Sequence, residues 1–215
     1  MSTAAVIVAA GRGRRAGGDL PKQWRMIHGR TVASYSLATF RAHPDISHIV
    51  MVIHPDDADM AQALGVDWVA GGETRRDSVL NGLESLADAG VTRVLIHDVA
   101  RPGLSAAVID GVLEALETTE GAAPALPVVD ALWVGEDGMV AGTRSREGLF
   151  RAQTPQGFHF SPLLAAHRAH QGDAADDVEI ARTAGMQVRM TQGSEDNFKI
   201  TLPADFDRAA RLLES

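Results

Sequence analysis

Three arginines and a lysine (Arg12, Arg14, Arg15 and Lys22) punctuate a glycine-rich stretch, GRGRRAGGDLPK, that follows the apolar run Ala4–Val8. Guanidinium and ammonium groups spaced along a flexible loop supply fixed positive charge. Glycines let backbone N–H groups approach phosphate oxygens without side-chain obstruction. The chemistry such a loop suits is phosphoryl or nucleotidyl transfer, where charge builds on phosphate oxygens in the transition state. A solvated basic loop that aids solubility is the plainer alternative. The spacing of Gly11, Gly13 and Ala16 imitates the dinucleotide fingerprint G-x-G-x-x-A. That motif requires a helix directly after the glycines and an acid about 20 residues on. Here the helical pattern resumes only near Thr31, and Asp56 and Asp57 lie too far along. A phosphate loop of the G-K-[ST] kind is also missing from the sequence.

Two further segments carry chemistry. In HDVARP (His97–Pro102), Asp98 stands where an apolar strand pattern ends. A hard carboxylate there suits Mg²⁺, which takes few protein oxygens and completes its shell from phosphates. An Asp98–Arg101 ion pair bracing the turn is the structural alternative. In SEDNFKIT (Ser194–Thr201), Asp196 is a candidate second metal ligand and Lys199 a candidate phosphate clamp; a turn followed by a strand is the alternative. Other chemistries find no signature: G-x-S-x-G and H-E-x-x-H do not occur. His167 and His170 stand three apart without a Glu at ligand spacing and read as surface helix positions. Met186 and Met190 read as core or rim packing.

These residues need a scaffold, and the bulk composition allows one. The chain has 215 residues, 45% of them apolar, which fits one sizeable domain over 1–215. It has no cysteine, which excludes disulfides and thiolate metal sites and permits a reducing compartment. A net charge of -8 disfavours a general nucleic-acid binder and makes the basic loop a local anion site. The N-terminal run is too short and lacks the positive flank of a signal peptide or membrane span, so a cytoplasmic protein is expected.

Periodicity predicts strands at Ala4–Ala10, His48–Ile53, Val66–Ala70, Arg93–Ile96, Ala125–Val129 and near Gln187–Thr191. Helices are predicted over Thr31–His43, Asp56–Leu64, Asp77–Ala89, Ser105–Thr118 (closed by Gly121), Ser161–His170, Asp177–Ala184 and Ala204–Leu213. Such alternation implies an α/β fold, a mostly parallel twisted sheet with helices on both faces. Ligands then sit at the carboxyl ends of the strands, which places Gly11–Lys22, Gly71–Ser78 and Asp98–Pro102 at the site. The alternation breaks at Ala131–Arg151, where VGEDGMV reads as a β-hairpin arm that must pack on something.

Four motifs stand in order: AAGRGRR with PKQ, GGETRRDSV, HDVARP and DNFKIT. Together they closely resemble the 2-C-methyl-D-erythritol 4-phosphate cytidylyltransferases of the non-mevalonate isoprenoid route, along essentially the whole chain. The resemblance implies a Rossmann-like nucleotidyltransferase fold and CMP transfer from CTP to methylerythritol phosphate with Mg²⁺. It implies that Ala9, Ala10, Gly11, Gly72, Glu73 and Ser78 hold the cytosine nucleotide. Arg15 and Lys22 would stabilise the α-phosphate transition state. Asp98 would bind Mg²⁺, with Arg101 beside it and Asp196 close by, and Lys199 would contact phosphate. It further implies a homodimer in which the arm reaches over the partner's site, so that Arg146 contacts the sugar phosphate there, while Thr154 lines the same pocket. Two positions depart from the pattern: Ala131 and Ala175 stand where the family usually has threonine. Each lost hydroxyl removes a hydrogen bond worth about 1 kcal/mol. The related ribitol-5-phosphate cytidylyltransferases share most of the motifs and are the alternative.

Overall fold

The computed structural model describes residues 1–12, 17 and 20–214. Its centre is the strand β1 (Thr3–Ala9), flanked in parallel by β4 (Ile46–Ile53) and β6 (Arg93–Asp98). β5 (Asp67–Ala70) extends the parallel array beyond β4. Successive side chains of a strand point to opposite faces, and both faces here are covered, so β1 is apolar from Ala4 to Ala9. Ala5, Ile7 and Ala9 face one cluster, with Leu37 and Phe40 of α1 (Val32–Ala42), Ala61 of α2 (Ala58–Ala63), and Val108, Ile109 and Val112 of α4 (Ala106–Ala115). Ala4 and Val6 face the other, with Val79 and Leu83 of α3 (Arg75–Glu84), Leu163 and Leu164 of α5 (Phe160–Ala169), and Ala181 of α6 (Asp177–Thr183). Gly82 lets α3 lie close on the sheet: a Cβ there would stand 2.6 Å from Val6 and 2.9 Å from Val52.

The far side of the sheet is antiparallel, which the sequence reading does not anticipate. β11 (Gln156–His159) inserts between β6 and β7 (Gly121–Pro127), antiparallel to both. β10 (Phe150–Ala152) shares the same edge of β7, and β12 (Val188–Gln192) pairs in parallel on its other edge. The sequence reading assigns Phe150 and Arg151 to the arm and Gln156–His159 to no strand, because β10 and β11 are only three and four residues long, too short to show a period. Helix ends also move, and α3 stops at Glu84, short of the expected Ala89. α4 stops at Ala115, and Gly121 opens β7 rather than closing the helix. α3 begins two residues earlier than predicted, because Thr74 caps it and Asp77 completes a capping box. A minimal hairpin, β2 (Met26–Ile27) with β3 (Arg30–Thr31), precedes α1.

The arm forms its own two-stranded sheet, β8 (Leu132–Glu136) with β9 (Met139–Arg144). Its apolar side chains are open within the single chain: Trp133 is 68% exposed and Met139 74%. His167 departs from its surface assignment and is wholly buried, facing Asp177 between α5 and α6. Met186 belongs to the core and Met190 is exposed. α7 (Ala204–Leu212) closes a third cluster, with Phe206 and Ala209 against Ile200, Ile27 and Val32.

Candidate active site

The carboxyl ends of β1 and β6 and the start of α3 frame an open cleft of about 370 Å³. On the β1 side, its wall is Ala9, Ala10 and Gly11. Gln23 fixes that wall. Its buried amide donates to Ala9 O at 2.8 Å and Gly11 O at 3.0 Å. Trp24 beside it is buried in the core. These two anchors hold the single 3₁₀ turn Lys22–Trp24, and Lys22 lines the cleft with Nζ donating to Ile200 O at 2.6 Å.

The opposite wall comes from the segment before α3. Gly71 packs so tightly that a Cβ would lie 2.4 Å from Ala10 and 2.9 Å from Ser78 Oγ. Ser78 is buried, accepts from Gly72 N at 3.1 Å and donates to Thr74 O at 2.9 Å. Gly72, Glu73 and Ser78 line the same cleft as Ala9–Gly11.

Asp98 and Lys199 form the floor. Lys199 Nζ stands 2.9 Å from Asp98 Oδ2, Arg101 Nε 3.8 Å from the same oxygen, and Arg75 Nε 3.6 Å from Oδ1. Burial would raise the Asp98 pKa, but Lys199, Arg75 and Arg101 outweigh it and hold the carboxyl well below the usual range. The Asp98–Arg101 pair offered as a structural alternative is thus present, within a larger cationic cluster. The backbone of Asp98 is fixed too: its N–H donates to Thr154 Oγ1 at 3.1 Å. Thr154 Oγ1 is also hydrogen-bonded to His97 Nδ1 at 3.0 Å. Burial pushes the His97 pKa down to about 3.

Several expected residues lie elsewhere. Thr154 is buried behind Asp98 instead of lining the cleft. Arg101 is buried as well, donating to Asn197 O at 2.7 Å. Arg12 is committed outside the cleft, to Asp56 at 2.6 Å, His54 at 2.8 Å and Asp57 at 3.1 Å. Its role as a polyphosphate charge is therefore replaced by that of an anchor for the loop's start. Asp196 is exposed and off the cleft, with its carbonyl against Gly103. Arg146 lies in the connection after the arm, exposed, and donates to Val129 O. Arg14 and Arg15 lie outside the described residues. Arg75 and Gln23 are among the cleft residues that sequence reasoning missed, although both stand inside the quoted motifs GGETRRDSV and PKQ.

A mostly parallel sheet whose strand ends frame a cleft rich in cations defines an α/β nucleotidyltransferase-like enzyme. A family profile described as 2-C-methyl-D-erythritol 4-phosphate cytidylyltransferase matches residues 3–215. The chain is similar to the protein of that name from Cereibacter sphaeroides, at 59% identity over 99% of this chain and 97% of the relative. It is 53% identical to the one from Roseobacter denitrificans, covering 100% and 98%. The solved structure of 2-C-methyl-D-erythritol 4-phosphate cytidylyltransferase from Thermus thermophilus superposes with a TM-score of 0.84 at 34% identity, covering 98% of each chain. This chain belongs to the 2-C-methyl-D-erythritol 4-phosphate cytidylyltransferase family and is a cytidylyltransferase. The relatives favour methylerythritol phosphate over ribitol phosphate as acceptor, despite Ala131 and Ala175.

Proposed function

We propose that CMP transfer from CTP to methylerythritol phosphate takes place in the cleft between Lys22 and Asp98. The convergence of Lys22, Lys199 and Asp98 on the cleft that Ala10 and Gly72 also line carries this reading. An oxygen of the acceptor phosphate attacks the α-phosphorus of CTP. The bond from that phosphorus to the bridging oxygen breaks, and pyrophosphate leaves with the electron pair. The nucleophile is already an anion at neutral pH, so no general base is needed, and among the described residues no His and no Ser other than buried Ser78 lines the cleft. The chain's task is to screen anion repulsion and align the phosphates. Lys22, with Arg15 on the same loop, is assigned to the α-phosphate and Lys199 to the acceptor phosphate.

Among the described residues no group of three or more His, Asp or Glu could hold a metal. Among the described residues Asp98 and Glu73 are the carboxylates on the cleft, a sparse donor set that fits Mg²⁺ carried mainly on the triphosphate. Such an ion would supply charge neutralisation on the phosphates; Asp196 is not part of this set. The exposed arm residues Trp133, Val134, Met139 and Val140 favour burial against a second copy, which would bring Arg146 to the partner's cleft. No described helix is long and apolar enough to cross a membrane, in keeping with a cytoplasmic enzyme.

Subunit mixing tests this reading. K22A and R146A proteins should each be nearly inactive, and a refolded mixture should regain about a quarter of the activity, since roughly one site in four of a random dimer population is intact. A mixture no more active than its parents would refute the shared site.

A further inference from the structure

Behind the cleft floor lies a buried charge that the transfer reaction does not use. Asp177, the first residue of α6, is fully buried. Its Oδ2 accepts from Arg75 Nη2 at 2.8 Å. His167 Nε2 stands 3.3 Å from Oδ1 without hydrogen-bond alignment. The start of α6 is pinned to the sheet by Gln156 of β11. Gln156 Oε1 accepts from Asp177 N at 3.1 Å and Val178 N at 3.2 Å, while its Nε2 donates to Asp176 Oδ2 at 2.8 Å. Asp177 is therefore a fixed point, not a surface carboxylate that found a partner.

Arg75 connects this fixed point to the cleft. One end of its guanidinium binds Asp177; the other faces Asp98 Oδ1 at 3.6 Å. Burial opposes its charge, but Asp177 and then Asp98 outweigh that and raise its pKa. A buried ion pair is an inefficient stabiliser, often replaceable by apolar residues without loss. The side chain of Arg75 is nevertheless 27% exposed, and it lines the cleft. Its two partners hold the guanidinium between Asp177 and Asp98, and Lys199 stands on the other oxygen of Asp98.

We propose that Arg75 is a third binding cation for the phosphate of the acceptor, and that Asp177 is the positioning residue that aims it. Without Asp177, Arg75 would be free to swing onto Asp98 or into solvent. With it, Arg75 and Lys199 flank Asp98 from two sides and form a preset seat for a phosphomonoester. The inference rests on the reading of this cleft as the transfer site.

The test is steady-state kinetics of D177N, R75Q and the double variant, with calorimetric titration of CTP. Wild-type turnover of CTP with methylerythritol phosphate comes first; its absence would sink the reading of the cleft before any variant is compared. D177N is expected to raise the acceptor KM at least ~10-fold, on the scale of one charged contact to phosphate, with CTP affinity within twofold of wild type. R75Q should do the same, and the double variant should be no worse than R75Q alone, because Asp177 acts through Arg75. A merely structural pair would lower the melting temperature and leave the acceptor KM alone. An unchanged KM in D177N, or losses that multiply in the double variant, would overturn the proposal. Should D177N fail to fold, R75K carries the test: it keeps the charge but cannot bridge both carboxylates. A raised acceptor KM is expected there too, and a wild-type value would be equally fatal.

Discussion

Replacing Gln23 by methionine removes two donors while keeping the side-chain volume. The bonds lost are those to Ala9 O and Gly11 O, at 2.8 and 3.0 Å. A neutral hydrogen bond contributes about 1 kcal/mol net, so the pair holds the two ends of the basic loop together by about 2 kcal/mol. That corresponds to a factor of about 30 in an equilibrium constant. Trp24 remains buried and keeps the turn attached to the core. The loss should therefore fall on the loop, through the fraction of molecules whose loop ends are closed for nucleotide. CTP affinity by calorimetry is expected to weaken ~10- to 30-fold, with the melting temperature lowered by less than ~2 °C. If the 2 kcal/mol fell on global unfolding instead, the melting temperature would drop about 4–8 °C for a chain of this size. Wild-type CTP affinity together with that full thermal loss would refute the argument that Gln23 serves the nucleotide wall.

Other expectations follow from the same geometry. Lys22→Ala should lower kcat at least ~100-fold, the scale of losing one preorganised transition-state contact; an unchanged kcat in a pyrophosphate-release assay would remove Lys22 from the mechanism. Gly71→Ala places a methyl 2.4 Å from Ala10. The wall must then shift at a cost of about 1–3 kcal/mol, so CTP should bind ~10-fold more weakly or worse by calorimetry. Burial would raise the Asp177 pKa, but Arg75 and His167 outweigh it and lower it. A lowered folded-state pKa means stability that is complete above the unfolded value near 4. That stability is lost as pH falls through the folded value. Denaturant midpoints for D177N should therefore depend less on pH below ~4 than those of wild type; parallel curves would contradict this.

The parallel half of the fold was legible because β1, β4 and β6 are six to eight residues long, largely apolar and separated by periodic helices; β1 is buried on both faces and is apolar from Ala4 to Ala9. The antiparallel half was not, because β10 and β11 are short and their burial is decided by neighbours distant in sequence. Lys22, Gly72, Ser78, Asp98 and Lys199, one or more from each of the four motifs, all line the cleft at the carboxyl ends of β1 and β6. The assignments that moved share a cause. Charge count alone made Arg12 a phosphate ligand, yet its carboxylate and imidazole partners lie more than forty residues on, at His54–Asp57. Thr154 and Arg101 were placed in the substrate pocket by resemblance, and in the single chain they brace Asp98 from behind. Arg75 was overlooked because only the third dimension brings it between Asp98 and Asp177.

The central claim is that this cleft joins CTP to methylerythritol phosphate, and pyrophosphate release with a panel of acceptors tests it most directly. With CTP and Mg²⁺, methylerythritol phosphate should be turned over with a kcat/KM at least ~100-fold above that for ribitol 5-phosphate, since a site fitted to one polyol leaves buried polar groups unpaired with the other. Equal rates, or turnover of ribitol 5-phosphate alone, would contradict the account.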